Sequence, residues 1–223
     1  EKSFEYWKGE MFEFAKKVGL PVKSLRWREH TKEELSHYSK RTEDLEYEFP
    51  WGFKEMWGLA YRTDFDLKNH MEKSGVDLRY QDPNTNEKFI PHVIEPTFGI
   101  SRLLTIILMN SYWEDNERER VVMRFPKVLA PAKVAVFPLL GNKDELRQKA
   151  KSLFAKLTDQ FEAEWDERGN IGKRYYAQDE IGTPACVTVD FQSLEDDTVT
   201  VRARDTAKQE RVSIDKLVAF LNT

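Results

Sequence analysis

The sequence predicts a mixed α/β chain of two modest domains. Three observations predict it. Amphipathic helical stripes alternate with short β-rich runs, prolines at Pro126 and Pro131 mark a seam, and after that seam strands and helices alternate in a new rhythm. The first domain is expected over 1–128 and the second over 129–223, both within the usual size range for a domain.

Phe4, Trp7, Met11, Phe14, Ala15 and Val18 recur every three or four residues and predict a helix, stopped by Gly19 and Pro21. The stretch 24–49 is charged and weakly periodic, and reads as irregular with one helical turn. Next, 55–62 predicts a strand with Glu55, Trp57, Leu59 and Tyr61 on one face and Met56, Gly58 and Ala60 on the other. A short helix follows from Asp64 to His70, with Asp64 and Asp66 as its N-terminal acids. Asp82-Pro83-Asn84-Thr85-Asn86 is a turn signal between β-rich runs at 77–81 and 88–95. Pro96 is expected to stop that strand, Thr97 to cap the next helix, and the helix to run over 99–113.

The second domain opens with a buried strand at 133–139 and a long helix over 143–165. A turn at 169–172 leads into a short helix at 174–181, then strands at 185–191 and 198–204. Ser213 is expected to cap a last helix through Leu221. This order predicts a small α/β domain with a mixed sheet of the five-stranded type.

The formal charge of −4 excludes a polybasic nucleic-acid-coating protein but leaves room for a local basic face. The apolar run 103–109 falls far short of the roughly 18 to 20 residues of a membrane span. The single cysteine, Cys186, sits in an apolar stretch without a neighbouring His or Lys, and is read as a core residue. His30, His37, His70 and His92 lack zinc-ligand spacing. A cytoplasmic location is expected.

Chemistry concentrates in Ile94-Glu95-Pro96-Thr97-Phe98-Gly99-Ile100-Ser101-Arg102. A strand carrying a carboxylate meets a helix whose first turn bears an arginine. Free N–H groups and the helix dipole favour an anion there, Arg102 adds a fork for phosphate, and Gly99 lets a ligand approach the backbone. A nearby carboxylate suits a hard cation such as Mg²⁺. The same spacing serves equally a strand–turn–helix connection with Arg102 paired to a surface acid. Gly58 and Ala60 leave space for a flat ligand or for a closely packed helix. In the second domain Thr200, Arg202 and Arg204 share a side of their strand, a surface for phosphates or base edges, or for pairing with Asp196, Asp197 and Asp205. Residues 132–223 hold 14 Lys plus Arg against 16 Asp plus Glu, so RNA would be held by a local patch.

These segments together resemble the homodimeric type of glycyl-tRNA synthetase, a class II aminoacyl-tRNA synthetase. Ile94 to Arg102 is similar to that family's third signature motif, I-E-P-S-x-G-x-x-R. Glu55-Met56-x-Gly58-x-Ala60-x-Arg62-Thr63-Asp64-Phe65-Asp66-Leu67 resembles its internal strand–helix signature. Gly169-Asn170-Ile171-Gly172-Lys173-Arg174-Tyr175, Asp179-Glu180-Ile181-Gly182-Thr183-Pro184, Val187-Thr188-Val189-Asp190 and 198–206 resemble its anticodon-binding domain. The likeness runs in order over the whole chain.

The resemblance implies an antiparallel class II catalytic core, present in part, followed by an anticodon-binding domain. It implies ATP contacts at Glu55, Met56, Gly99, Ile100, Ser101 and Arg102, and glycine contacts at Glu95, Pro96, Thr97, Phe98 and Gly99. Glu95 and Arg102 would carry the catalysis, and Glu55 and Glu95 would hold Mg²⁺ through ATP. Anticodon contacts are expected at Arg174, Asp179, Glu180, Arg202 and Arg204. The implied partners are tRNA-Gly, glycine, ATP and, in the intact family, a second copy of the chain. Thr97 stands where the family has Ser, keeping the hydroxyl and adding a methyl. The family's first and second motifs are absent from the sequence, whose start falls near the expected end of the second. The expectation is therefore that these residues alone do not activate glycine and are completed by a separate chain or by unrecorded residues. The competing expectation is a non-catalytic synthetase-like RNA-binding protein or polymerase accessory subunit.

Overall fold

The computed structural model describes residues 1–222, which by their contacts divide between Ile106 and Ile107. That division lies inside a helix, upstream of the proline pair, because the intervening segment bonds to later strands and helices, as Arg120 does to Asp179. In the first unit, α1 (Lys2–Lys17) precedes a four-stranded antiparallel sheet of β1 (Leu25–Glu29), β2 (Arg41–Phe49), β3 (Gly52–Thr63) and β6 (Val93–Phe98), in that spatial order. Between β3 and β6 lie α2 (Phe65–Ser74) and a small hairpin of β4 (Tyr80–Gln81) and β5 (Lys88–Phe89). Helix α3 (Ile100–Ser111) comes directly after β6.

The α1 stripe folds as its spacing predicts: Phe4, Met11 and Ala15 are buried. Phe14 stacks on Trp57 and meets Phe98 edge-on, so α1 covers one face of the sheet. The stretch 24–49 is corrected in part: its two ends form β1 and β2, while 30–40 between them is irregular. Leu45, Tyr47 and Phe49 alternate toward the core, but buried acids Glu43, Asp44 and Glu46 stand among them and hide the period. Those acids tolerate burial because each has a cation, including Lys8 on Glu43 and Arg26 on Glu46.

Pro96 does not stop its strand. It lies in β6, an edge strand, where a missing N–H is tolerated, and pairs opposite Leu59. The predicted helix over 99–113 ends at Ser111, where the chain turns into β7 (Tyr112–Asp115).

In the second unit, β7 and β8 (Arg120–Met123) form a hairpin, and a 3₁₀ turn occupies Lys127–Leu129 between the prolines. Then come β9 (Val134–Pro138), α4 (Asp144–Thr158), β10 (Ala163–Trp165), α5 (Ile171–Ile181), β11 (Ala185–Val189), α6 (Phe191–Asp196), β12 (Thr198–Ala203), β13 (Gln209–Ser213) and α7 (Leu217–Leu221). The sheet order is β10-β9-β11-β12-β13, parallel around β9 and antiparallel from β11 to β13. This is the mixed five-stranded sheet expected. Val134, Val136, Val187, Val189, Val199 and Val201 pack with Leu146, Leu153 and Leu157 of α4.

The second unit departs from expectation at several points. Helix α4 stops at Thr158, because Phe161, Ala163 and Trp165 switch to a period of two and the last two lie in edge strand β10. Strand β11 ends at Val189, since Asp190 caps α6 in a reciprocal capping box with Ser193. Strand β13 escaped the sequence reading because only Val212 of its five residues is buried. Ser213 does not cap a helix through its side chain; its hydroxyl donates to Asp215 ahead of a 3₁₀ turn at Ile214–Lys216.

Candidate functional site

The face of the first sheet opposite α1 carries the candidate site. Two bulges in β3 shape it. Leu45 pairs with Trp57 and Glu46 with Glu55, which leaves Met56 as an extra residue; Met56 and Trp57 are both fully buried. This corrects the expected alternation: Glu55 does not share the face of Trp57, Leu59 and Tyr61, but that of Gly58, Ala60 and Arg62. Across the β3–β6 ladder Gly58 pairs with Thr97 and Ala60 with Glu95, so Thr97 and Glu95 join this open face.

The same alternation sorts the glycine-contact candidates. Glu95 and Thr97 reach the open face. Phe98 turns to the core, its ring 4.7 Å from that of Trp57, and Pro96 lies on that side too. The side chains of Pro96 and Phe98 therefore do not face a ligand, and only their backbone is available to one. The second bulge sits at Arg62, because Tyr61 pairs with Ile94 and Thr63 with Val93.

Gly99 joins β6 to α3 at a close approach. A Cβ there would lie 2.9 Å from the Met56 carbonyl oxygen, inside contact distance. Its bareness lets β6 turn into α3 against the β3 bulge. Arg102, in the first turn of α3, donates from Nη1 to the Glu55 carbonyl at 2.9 Å and lies 3.1 Å from the Glu55 carboxylate. Glu55, far in sequence from Gly99 and Arg102, thus meets them at one edge of the open face. The neighbouring Ile100 and Ser101 are exposed at the helix start.

Charge covers the rest of the face. His30 Nε2 lies 2.8 Å from Asp44, Arg28 reaches Asp44 and Glu46, and Arg26 donates to Glu46 at 2.7 Å. Arg62 forks onto Asp66 and donates to Glu95 at 2.6 Å, and Lys68 holds Asp64. Asp66, bonded chiefly by Arg62, titrates below the usual carboxylate range. Sequence reading missed the Arg28–His30–Asp44 set and the role of Arg62. The alternate charges within β1 and β2 were the available signal.

Among the described residues there is no cluster of three potential metal ligands. Glu55 and Glu95 each have one oxygen beside an arginine and are about half exposed. This donor set does not build a protein cage for Mg²⁺, but it fits a cation that arrives on substrate phosphates and keeps most of its ligands from them.

In the second unit the arginine side of β12 is occupied. Arg202 is buried and donates twice, at 2.9 Å each, to Asp179, which also accepts from Arg120. Arg204 donates to the carbonyls of Gly182 at 2.8 Å and Phe125 at 3.0 Å and to Asp205. Arg174 donates to the carbonyls of Pro138 and Leu139, and its burial lowers its affinity for a proton. Thr200, Arg202 and Arg204 share a side as predicted, but the open arginine surface expected there is corrected. The two arginines are buried within bonds that hold the domain together. Of the anticodon candidates only Glu180 is exposed. Cys186 is buried as predicted, and burial pushes its thiol up to about 12.

A family model described as "Anticodon binding domain" matches residues 133–223. A glycine–tRNA ligase of Clostridium acetobutylicum is 48% identical over 98% of this chain, and that of Alkaliphilus metalliredigens 49% identical over 98%. Over nearly its whole length the chain is similar to these glycine–tRNA ligases. It spans about half, 47%, of the length of those relatives. The glycine–tRNA ligase of Acetivibrio thermocellus, 49% identical over 97% of the chain, is matched over the same share of its length. No helix among the described residues is long and apolar enough to cross a membrane.

Proposed function

We propose that the chain provides part of the catalytic domain and the tRNA-reading domain of a glycine–tRNA ligase. The observation that carries this is the meeting of Glu55, Glu95, Thr97, Gly99 and Arg102 on one open sheet face, in a chain about half identical to glycine–tRNA ligases.

In the proposed reaction the glycine carboxylate attacks the α-phosphorus of ATP in line and pyrophosphate leaves. The mixed anhydride then passes glycine to a ribose hydroxyl at the end of tRNA-Gly, AMP leaving as the acyl–phosphate bond breaks and the hydroxyl proton passing to solvent. Neither step needs a covalent nucleophile from the protein, so positioning and electrostatics supply the catalysis. Glu95 attracts the glycine ammonium, and the Thr97 hydroxyl beside it offers a hydrogen bond. Arg102 exchanges its Glu55 partner for phosphate oxygens at the α3 N-terminus, where backbone N–H groups also point. Mg²⁺ carried on ATP would neutralise phosphate charge and would be held by the phosphates together with the free oxygen of Glu55. Ile100 and Ser101 frame the nucleotide, whereas fully buried Met56 shapes the bulged strand beneath it. Cytoplasmic action as a homodimer completes this reading.

In the second domain, the exposed Glu180 and its neighbours Lys173 and Tyr176 on α5 offer themselves to RNA. Arg174, Asp179, Arg202 and Arg204 would then shape that surface from beneath.

The deciding experiment is glycine-dependent exchange of pyrophosphate into ATP by the protein at its native length. Exchange with glycine, and at least about a hundredfold less with alanine or serine, is expected. No exchange with glycine would refute the ligase reading.

A further inference from the structure

We propose that Arg62 is a positioning residue: it fixes one oxygen of Glu95 and leaves the other available to the ammonium group of the amino-acid substrate. This rests on the ligase reading above.

The guanidinium is gripped from three directions. Nε and Nη2 donate to the two oxygens of Asp66 at 2.6 and 2.8 Å, a bidentate fork that fixes the plane of the group. Tyr38 stacks beneath it, its ring centre 4.0 Å from Cζ. Nη1 then donates to Glu95 Oε2 at 2.6 Å. Glu95 Oε1 makes no hydrogen bond to the described residues, and its carboxylate is about half exposed on the open face.

The backbone is bent to deliver this. Arg62 is the extra residue of a bulge, the device by which a strand re-aims a side chain. The next residue, Thr63, has a φ of 55°, a left-handed conformation that a β-branched side chain rarely adopts. Such strain persists where the surroundings over-determine it, and it gathers at functional sites.

A structural role explains only part of the arrangement. The fork onto Asp66 already satisfies the arginine and ties β3 to α2. The additional bond to half-exposed Glu95 adds little stability in a solvated setting. What it does add is geometry: a carboxylate held by one oxygen cannot swing, so its free oxygen is aimed before substrate arrives. In the ladder Glu95 sits opposite Ala60, two residues from Arg62, and a small methyl there leaves the space above the carboxylate open.

The test is pyrophosphate exchange by the native-length protein with Arg62→Ala and Arg62→Lys, each checked for an unchanged melting profile. Arg62→Ala should raise the glycine KM about tenfold or more and leave the ATP KM within about twofold. Arg62→Lys, which still reaches Glu95, should regain most of the loss. An unchanged glycine KM, or equal rises in both KM values, overturns the proposal. A crystal structure of the 223-residue chain with Arg62→Ala reads the positioning without activity. A displaced or disordered Glu95 supports it; an unmoved Glu95 overturns it. Absence of exchange by the unmodified protein overturns the ligase reading, and the substrate role of Arg62 with it, whatever the crystal shows of Glu95.

Discussion

At Gly99 a single absent side chain joins the strand, the helix and the site. A methyl added there would press on the Met56 carbonyl oxygen at 2.9 Å, and backbone cannot yield as a flexible side chain can. It would also touch the Arg102 side chain, which holds Glu55. Gly99→Ala should therefore destabilise the chain by about 1 to 3 kcal/mol through overpacking. Urea unfolding of the two proteins measures this, and a difference within error would show that α3 shifts freely. The glycine's importance was legible in the sequence, but its reason was not. A ligand approaching the backbone and a neighbouring strand approaching it leave the same residue. Only the bulge at Met56, which depends on cross-strand register, separates the two.

Whole elements were legible where one period dominated, as in α1 and in the valines of β9 and β11. They were obscured where buried charge interrupted the pattern. In β2 the acids Glu43, Asp44 and Glu46 are core-level residues paired with cations from other elements, and the alternation of charge in β1 and β2, which signals strands, does not signal that burial. The open face of β3 was misassigned for a related reason, because one extra residue reverses every side chain beyond it.

Element α6 offers a test of such charge. Asp190 caps it and accepts two bonds from Arg211 of β13. Burial works to raise its pKa, but the Arg211 bond, together with the Ser193 N–H and hydroxyl, brings it below the ordinary value. The folded pKa thus lies under the unfolded one. The resulting stability is present above about pH 4 and is lost as pH falls through the folded value. Asn at 190 keeps the cap and loses the charge, so Asp190→Asn should cost about 1 kcal/mol at pH 7. The gap should close toward pH 2. Urea melts at both pH values check it, and a gap constant with pH would place the effect in the cap.

For the whole molecule, the matched anticodon-binding segment, 133–223, is smaller than the unit that folds around it, 107–223. The hairpin of β7 and β8 supplies Arg120, whose side chain is 4% exposed, to Asp179, whose side chain is 1% exposed. Phe125 fills the space at Gly182, whose φ of +89° and lack of Cβ admit it. The Phe125 carbonyl accepts from Arg204, and Arg118 reaches the Thr206 carbonyl. Removing 107–132 would leave Asp179 with Arg202 alone and strip a partner from buried Arg204. Losing the Arg120–Asp179 ion pair, the Phe125 carbonyl and the Phe125 packing together should cost about 2 kcal/mol or more. For a domain of this size that corresponds to a fall in melting midpoint of about 10 °C. A fragment of 107–223 should therefore melt cooperatively, and one of 133–223 should melt at least that much lower or fail to fold. Circular dichroism on the two fragments decides it. Equal midpoints would mean that the buried arginine cluster forms without the hairpin. The acidic balance of the domain points the same way as the expected result: its arginines are spent on internal carboxylates and carbonyls, and the segment that supplies some of these partners belongs to the folded unit.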